Sequence, residues 1–444
     1  MGPGMIVIFG GGPAGRLASI RIASAGKQVT LVEHGGIGGQ CLHSGCMPVC
    51  ALNDVARLIH SARELHDLGV VDTVPAPDFP VLLTKMGEIQ QNIASILDEE
   101  TRSAGVDIIY GRTGRLEGGT AYAGDELLKA EAVIAATGSR PVVPEIPGIS
   151  LPGVFTSRTL PAMRELPDKM AIIGGSVVAA EFAYIFSTFG CDVTILSRST
   201  FLKDIDKHLR ALAIKELAGV TIRENTPVSS IEGRDRVESV IIPGGEMETD
   251  AVFLAAGLRP NAEMLDGVKK GPLGEVVVDN RMRTSVKDVY ACGDVVGPPY
   301  LTPVARHQGI VAADNILGIP RTMDYQNIPR SISLTHELAY CINESDGMGS
   351  LAIPGPAGPG SFWSVPTGQT GLAKVIFEPE SGELAGICAA GPGGGLVAGY
   401  MAFLMKKHFS VHDFEDFIEV HPSTDGVYGL AKYASSVLKK RNKS

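Results

Sequence analysis

The sequence predicts an α/β protein with two Rossmann-like dinucleotide-binding domains and a C-terminal α+β domain. Two observations support this prediction. A strand, a glycine-rich turn, a helix and a second strand follow one another near the start, and the same pattern returns at Gly174. The length of 444 residues suits about three domains of roughly 150 residues each.

The first copy begins with the apolar run 5–9, continues through the turn 10–15, and has a helix expected to end at Gly26. A second strand follows and ends at Glu33. In such a unit the glycines let backbone amides approach a pyrophosphate, and the acid binds a ribose. The candidate cofactor residues here are Gly10, Gly12, Pro13, Ala14, Gly15, Glu33 and His34.

The second copy lacks parts of the pattern. Ser176 and Ala179 occupy the second and third glycine positions, Ser197 replaces the acid, and Arg198 follows it. Replacing a carboxylate by a guanidinium favours a 2′-phosphate, which indicates NADP(H) more than NAD(H). The candidate nicotinamide-nucleotide residues are Gly174, Ser176, Ala179, Ser197, Arg198 and Gly257.

Three of the seven cysteines lie close together, at Cys41, Cys46 and Cys50. On a regular helix Cys41 and Cys46 would be too far apart for a disulfide, but the flanking glycines allow an irregular backbone that closes the gap. Such an exposed, labile bridge suits catalysis. The alternatives are structural thiols or half of a metal site, but no second Cys or His pair has zinc spacing, so no metal is predicted. The remaining cysteines are expected to be small buried residues: Cys191, Cys292, Cys341 and Cys388.

These segments resemble the class I pyridine nucleotide–disulfide oxidoreductase family, the group of dihydrolipoyl dehydrogenase, glutathione reductase and mercuric reductase. Segment 38–48 is similar to the family's redox-disulfide stretch, and segments 136–141, 290–294 and 301–305 are similar to its later FAD-binding motifs. The resemblance implies FAD and NAD(P) as cofactors. It adds as candidate cofactor residues Gly39, Gln40, Thr137, Gly138, Ser139, Gly293, Asp294, Thr302, Pro303, Val304 and Ala305.

The resemblance also implies the catalytic roles. Cys41 would be the interchange thiol, and Cys46 the thiolate nearer the flavin. His421, in the segment 421–423, would be the general base, supplied by the partner subunit of a homodimer whose active sites are shared between chains. Electrons would pass by thiol–disulfide exchange and then through the flavin to or from the nicotinamide.

Two departures from the family pattern affect the site. Cys50 replaces a lysine that normally pairs with the glutamate found here as Glu181, so Glu181 is expected to hold its proton or find another donor, and the flavin to be harder to reduce. We interpret Cys50 as a small buried replacement, with a third active thiol as the alternative. The acid that orients the base should stand at Gly426. Asp425, one position earlier, could take over this role, with a histidine that lacks an orienting partner as the alternative.

The best hypothesis is an enzyme that oxidises a dithiol or reduces a disulfide, with a lipoyl-type group or a lipoyl-bearing protein as substrate. The alternatives are an NADPH-dependent reductase of another small disulfide and a flavin-bound redox sensor without nicotinamide turnover. Mercuric reduction is less favoured because no cysteine follows Cys388. The net charge of −10 argues against nucleic-acid binding. No apolar stretch is long enough to span a membrane, so a cytoplasmic protein is expected.

The expected domains follow from these motifs. Residues 1–148 and 281–321 form the FAD-binding domain, residues 149–280 the NAD(P)-binding domain, and residues 322–444 the dimerisation domain.

Overall fold

A computed structural model describes residues 4–343, 347–356 and 358–441. Three five-stranded sheets organise this part of the chain, two of them parallel and the third antiparallel. The predicted fold class is therefore confirmed.

The first part of the chain builds most of a parallel sheet. Its elements in chain order are β1 (Met5–Phe9), α1 (Pro13–Ser24), β2 (Val29–Glu33), α2 (Gly39–His43), α3 (Cys46–Asp67), α4 (Phe79–Ser103), β3 (Val106–Tyr110), β4 (Gly114–Glu117), β5 (Thr120–Ala123), β6 (Glu126–Leu128), β7 (Ala130–Ala135) and β8 (Ser139–Pro141). Strand β1 pairs in parallel with β2 on one side and β7 on the other. Helix α1 approaches β1 closely, since a Cβ added to Gly15 would lie 2.0 Å from the Gly10 carbonyl oxygen.

The second part forms a separate parallel sheet. Its elements are β9 (Val154–Thr156), β10 (Lys169–Ile173), α5 (Val177–Phe189), β11 (Asp192–Leu196), α6 (Lys207–Glu216), β12 (Val220–Arg223), β13 (Ser230–Glu232), β14 (Ser239–Ile242), β15 (Gly245–Glu248) and β16 (Ala251–Leu254). The strand order is β12-β11-β10-β16-β9. The unit β10–α5–β11 repeats the arrangement of β1–α1–β2, so the sequence repeat is a structural repeat.

The chain then returns to the first sheet through β17 (Leu258–Pro260), β18 (Val289–Ala291) and α7 (Thr302–Ile316). Strand β17 pairs with β8, and β18 completes the order β18-β7-β1-β2-β3. Buried Ala262, Leu265 and Val276 pack in the core around β1 and β7. The expected boundary at residue 280 does not match this packing, and we propose that the second domain ends near Gly257.

The third part is an antiparallel sheet with helices, as an α+β domain requires. Its elements are β19 (Arg330–Ser333), β20 (Glu337–Ile342), β21 (Gly349–Pro354), β22 (Leu372–Phe377), β23 (Leu384–Gly391), α8 (Gly394–Lys406) and α9 (Gly426–Arg441). The order is β19-β20-β23-β22-β21, and apolar side chains of α8 and α9 share a core with β22 and β23. Among the described residues, no helix combines the length and apolar character needed to cross a membrane.

Candidate active site

A cavity of about 570 Å³ lies where the β1–α1 turn, α2, the segment after β7 and the start of α7 meet. Most of the cofactor residues predicted for the first unit line it. They are Gly10, Gly12, Pro13, Ala14, Glu33, His34, Gly39, Gln40, Thr137, Gly138, Ser139, Gly293, Asp294, Thr302 and Ala305. Gly15, Pro303 and Val304 are not among the lining residues. Gly15 instead lies at the contact between helix and strand, and Val304 is buried beneath the first turn of α7.

Glu33 holds two neighbouring turns at the edge of this cavity. Its carboxylate accepts hydrogen bonds from the Gly11 N–H at 2.5 Å and from the Gly35 N–H at 2.7 Å. The acid at the end of β2 therefore lies beside the glycine turn, where the dinucleotide pattern requires it.

The redox-cysteine candidates lie together in the wall of the same cavity. Cys41 belongs to the short helix α2, and Cys46 is the first residue of α3. The chain breaks helical geometry at Ser44 and Gly45, so the two cysteines do not follow the spacing of a single helix. Both are free thiols, and their side chains form a direct hydrogen bond.

This contact makes one of the two thiols acidic. The hydrogen bond with Cys46 lowers the pKa of Cys41 to about 6, against an opposing effect of burial, and the Thr302 hydroxyl and Arg306 guanidinium lower it further. The same hydrogen bond and burial raise the pKa of Cys46. The Thr302 Oγ1 lies 3.5 Å from the Cys46 sulfur, at the N-terminus of α7. The positive end of this helix favours a thiolate at the pair.

Two buried polar atoms in the cavity wall, Gln40 Oε1 and the Tyr300 hydroxyl oxygen, lack a hydrogen-bond partner within the described chain. Asp294 accepts a hydrogen bond from the Ser139 hydroxyl at 2.7 Å, and burial raises the pKa of Asp294. Orphaned buried polar groups are rare in native proteins. Together with the dinucleotide turn, they fit FAD as the group that this cavity holds.

Glu181, which the resemblance pairs with a lysine that this chain lacks, accepts a hydrogen bond from a backbone N–H instead. It lies on α5, and its carboxylate accepts the Ser333 N–H at 2.9 Å. Burial raises the pKa of Glu181 to about 7, which the Ser333 hydrogen bond and the charge of Arg57 oppose and the charge of Cys46 reinforces. In the described residues Glu181 forms no ion pair.

Cys50 differs from the expectation of a small buried residue, because its side chain is exposed. It lies one turn after Cys46 on α3, and desolvation followed by the charge of Cys46 raises the pKa of Cys50. The other four cysteines are buried, as expected: Cys191, Cys292, Cys341 and Cys388.

His421 lies close to an acid and outside the wall of the cavity that Cys41 and Cys46 line. Its Nδ1 lies 2.5 Å from the Asp425 carboxylate, and 72% of the side chain is exposed. His421 is absent from the cavity wall. Asp425, one position before the family's usual place, thus contacts the imidazole directly.

The second dinucleotide unit presents its predicted residues at the carboxyl ends of β10 and β11. Ser176 is the residue before α5 and makes no capping hydrogen bond, while Ala179 is fully buried. Ser197 is buried, and its N–H donates to the Arg223 carbonyl oxygen at 2.9 Å. The side chains of Arg198 and Arg223 are both exposed beside it.

Sequence reasoning missed several residues of the cavity. Four residues line it but belong to no recognised motif: Arg158, Asn261, Glu263 and Met264. Arg158 follows β9, and the other three reach the site through the return of the chain near β17. Tyr300 directly precedes the recognised segment 301–305, so its position was a usable signal. Within the described ranges, no group of His, Cys, Asp and Glu residues could hold a metal ion.

Comparison with known proteins identifies the family. Residues 4–309 match the family model described as pyridine nucleotide-disulphide oxidoreductase. The chain is 30% identical to a dihydrolipoyl dehydrogenase of Chlamydia muridarum, over 95% of this chain and 94% of that protein. It is 29% identical to a mercuric reductase of Shigella flexneri, over 98% of this chain and 81% of that protein.

A solved structure shows the same architecture. The HOCl-induced flavoprotein disulfide reductase RclA from Escherichia coli, in the Cu(II) complex of a cysteine-to-serine mutant, superposes with a TM-score of 0.84 at 25% identity. The match covers 97% of this chain and 99% of that chain. The chain therefore belongs to the pyridine nucleotide-disulphide oxidoreductase family, whose members are FAD-dependent and work with a nicotinamide nucleotide.

Proposed function

We propose that the protein is a dithiol–disulfide oxidoreductase that passes electrons between a small dithiol or disulfide and NAD(P) through the Cys41–Cys46 pair. The observation that carries this proposal is the direct contact of the two thiols in the wall of the dinucleotide cavity. A lipoyl-type group is the favoured substrate, since several relatives are named dihydrolipoyl dehydrogenase.

The cysteine pair performs the exchange with substrate. In the oxidised protein a substrate thiolate attacks the Cys41 sulfur, breaks the Cys41–Cys46 bond, and leaves Cys46 as thiolate. The second substrate thiolate then attacks the sulfur bound to Cys41, so the substrate leaves as a disulfide and the protein keeps two electrons. The low pKa of Cys41 suits this interchange role in both directions, because it is a good leaving group and a populated thiolate. Bound FAD supplies a two-electron acceptor between the cysteine pair and the nicotinamide.

We propose that His421 holds and returns the substrate thiol proton in the active site of a second copy of the chain. Asp425 orients the ring through its Nδ1 contact, which leaves Nε2 for the substrate. Apolar side chains surround this region: Leu396, Tyr400 and Phe403 are exposed along α8, and Ile418 and Val420 are exposed just before His421. Such a surface is unusual for a monomer and suits a homodimer with shared sites.

For the nicotinamide nucleotide we propose a preference for NADP(H). No carboxylate stands at the end of β11, and two exposed guanidinium groups, Arg198 and Arg223, flank Ser197 there. This arrangement attracts a 2′-phosphate and gives no acceptor for a free ribose hydroxyl. It also favours the second candidate function, an NADPH-dependent reductase of another small disulfide.

Anaerobic reduction of the FAD-loaded protein separates these functions. Dihydrolipoamide, NADPH and NADH are added in turn while flavin absorbance is recorded. Formation of a long-wavelength thiolate–flavin band with dihydrolipoamide supports the lipoyl-type function, and a response to NADPH alone supports the reductase. If none of the three reductants changes the flavin absorbance, both enzyme functions are contradicted, and the alternative of a flavin-bound redox sensor is favoured.

Variants identify the cysteines in that experiment. We expect Cys46→Ala to lose the long-wavelength band with every reductant. Met47→Leu changes the exposed neighbour of Cys46 and serves as the matched control, which should respond as the unaltered protein does. A band that survives in Cys46→Ala would remove this residue from the mechanism.

A further inference from the structure

Glu181 lies beside the redox pair without the cation that the family provides. Its carboxyl group sits deep among protein atoms, although the residue keeps some accessible surface. Its hydrogen-bond partner is a single backbone N–H, that of Ser333. Cys50 stands at the helical position of the lysine and supplies no positive charge. A carboxylate in such surroundings binds a proton more readily than one in water.

The charged groups that act on Glu181 come from one helix. Cys46, Cys50 and Arg57 follow each other along one face of α3, and each interacts electrostatically with the carboxyl group. The end of β19 contributes only the Ser333 amide. On α5 itself, Tyr184 is one turn away, and burial raises the pKa of Tyr184 to about 12, which keeps it neutral. The charge of the hydrogen-bonded Cys41–Cys46 pair, of which Cys46 is the member that acts on Glu181, is therefore the one input to Glu181 that changes with the redox state.

Arg57 hydrogen-bonds residues Ser333 and Leu334, the segment that carries the Ser333 amide. Its Nε donates to the Leu334 carbonyl oxygen at 2.7 Å, and its second nitrogen donates to the Ser333 hydroxyl at 3.3 Å. Buried Asn53, one turn earlier on α3, donates to the same two residues at 3.3 and 3.0 Å. On this face of α3 the positive charge is therefore at Arg57 and not at the position of Cys50. Arg57 hydrogen-bonds the segment whose Ser333 N–H contacts Glu181.

We propose that Glu181 is a redox-linked proton acceptor, which takes up one proton when the Cys41–Cys46 disulfide is reduced, and that Arg57 is the residue that positions its hydrogen-bond donor. This inference rests on the proposed redox role of the cysteine pair. Its physical basis is the negative charge that reduction creates at the pair, next to a confined carboxylate without an ion-pair partner.

The proton and electron balance of the step is simple. Reduction breaks the S–S bond and adds two electrons. One sulfur binds a proton and becomes a thiol, and the other becomes a thiolate. The second proton binds the Glu181 carboxylate. A dithiol reductant supplies two electrons and two protons, so the exchange with a dithiol then releases no net proton. Without Glu181 the same exchange releases one proton to the solvent.

The test is the thiol–disulfide equilibrium of the FAD-loaded protein with dithiothreitol between pH 6.5 and 7.5. The redox state of Cys41 and Cys46 is read by acid quenching, alkylation and mass spectrometry, independently of turnover. If one proton is released, the equilibrium constant for reduction rises about tenfold per pH unit. We expect the equilibrium constant to rise about tenfold per pH unit in Glu181→Gln. In the unaltered protein we expect a rise of about threefold, because Glu181 binds the released proton in a fraction of the molecules.

Two further variants keep the test valid if Glu181→Gln fails to fold. Cys50→Lys restores a cation beside Glu181, keeps the carboxylate ionised, and should also give about tenfold. Arg57→Gln removes the stabilising charge, so Glu181 should hold its proton in both redox states between pH 6.5 and 7.5, and the dependence should approach tenfold there and weaken only at higher pH. His421→Gln, combined with Glu181→Gln, removes the imidazole that the proposed function places in the shared site and should leave the tenfold dependence unchanged.

The outcomes separate the two proposals. A tenfold dependence in the unaltered protein, equal to that of Glu181→Gln and Cys50→Lys, overturns the role of Glu181. A weak dependence that becomes tenfold only when His421 is replaced also overturns it, because the proton then belongs to the imidazole. Failure of Cys41 and Cys46 to form a disulfide at all contradicts the proposed function itself.

Discussion

At the scale of single residues, the chemistry of the site depends on which sulfur loses its proton first. The Cys46 hydrogen bond makes Cys41 the acidic thiol, with a pKa of about 6. The sequence predicted the pair from two cysteines and their glycine neighbours. The family resemblance assigned the thiolate to Cys46 instead. The sequence could not show otherwise, because Thr302 and Arg306, which lower the pKa of Cys41, reach the pair from a helix far away in the chain.

This asymmetry predicts the alkylation profile of the reduced protein. We expect the rate of Cys41 modification by iodoacetamide to reach half its maximum near pH 6, because only the thiolate reacts. In Cys46→Ala the hydrogen-bond donor is gone, so the midpoint should rise by one pH unit or more. Peptide mass spectrometry after timed labelling measures it. A midpoint above pH 8 in the unaltered protein would contradict the assignment.

The His421–Asp425 contact predicts a graded loss of activity. Replacing His421 by Gln should lower turnover with a dithiol by about 10²–10⁴-fold, the usual contribution of a general base. Asp425→Asn should lower it less and shift the pH profile, since the imidazole keeps its place but loses the carboxylate that orients it. Steady-state kinetics across pH 6–9 measure both. Equal turnover in His421→Gln and the unaltered protein would remove the base from the mechanism.

Glu181 predicts a pH-dependent change in stability. Its pKa in the folded protein, about 7, lies above the ordinary value of 4.5, so the charged carboxylate opposes folding. The penalty is absent below about pH 4.5, grows as pH rises to 7, and then stays constant at about 3 kcal/mol. Glu181→Gln should therefore gain thermal stability over the unaltered protein at pH 8 but not at pH 4.5. A difference in melting temperature that is the same at both pH values would contradict the raised pKa.

At the scale of elements, the dinucleotide units were predictable because a short pattern fixes them. The turn at Gly10, the helix end at Gly26 and the acid at Glu33 are local signals, and the structure contains each. The end of the second domain was not predictable from such signals. Strand β17 is only three residues long, and its pairing with β8 joins segments far apart in sequence.

Two glycines in helices predict opposite effects of the same substitution. In Gly15→Ala the new Cβ would lie 2.0 Å from the carbonyl oxygen of Gly10, directly after β1, so α1 must shift, at a cost of about 1–3 kcal/mol and with loss of bound FAD. In Gly87→Ala, within α4, the Cβ meets no atom within 4 Å, and the protein should gain about 0.5–1 kcal/mol. Flavin content and melting temperature measure both. Equal behaviour of the two variants would contradict the close packing of α1 on β1.

At the scale of the whole molecule, the proposed base lies outside the cavity wall of its own chain. The His421 side chain is 72% exposed, and apolar side chains of α8 are exposed as well. The sequence placed His421 in the site only through the family resemblance. Neither hydrophobic periodicity nor spacing says which copy of the chain receives it.

A charged side chain placed on the exposed apolar surface of α8 should abolish dimer formation and lower activity. In Leu396→Glu, a side chain that is 82% exposed in one chain becomes charged, so the fold should persist while the dimer dissociates and dithiol turnover falls by at least tenfold. Leu273→Glu, at an exposed apolar position away from α8, is the matched control and should remain dimeric. Light scattering after size exclusion measures the mass. A monomeric unaltered protein with full activity would contradict the shared site.

The most direct test of the account is the cysteine map of the oxidised, FAD-loaded protein. The protein is alkylated without reduction, digested, and analysed by mass spectrometry before and after addition of one equivalent of dihydrolipoamide. We predict one cross-linked peptide that joins positions 41 and 46, with Cys50 alkylated, and complete conversion of the cross-link to two alkylated cysteines after reduction. Alkylation of both Cys41 and Cys46 before any reductant is added would contradict the central claim.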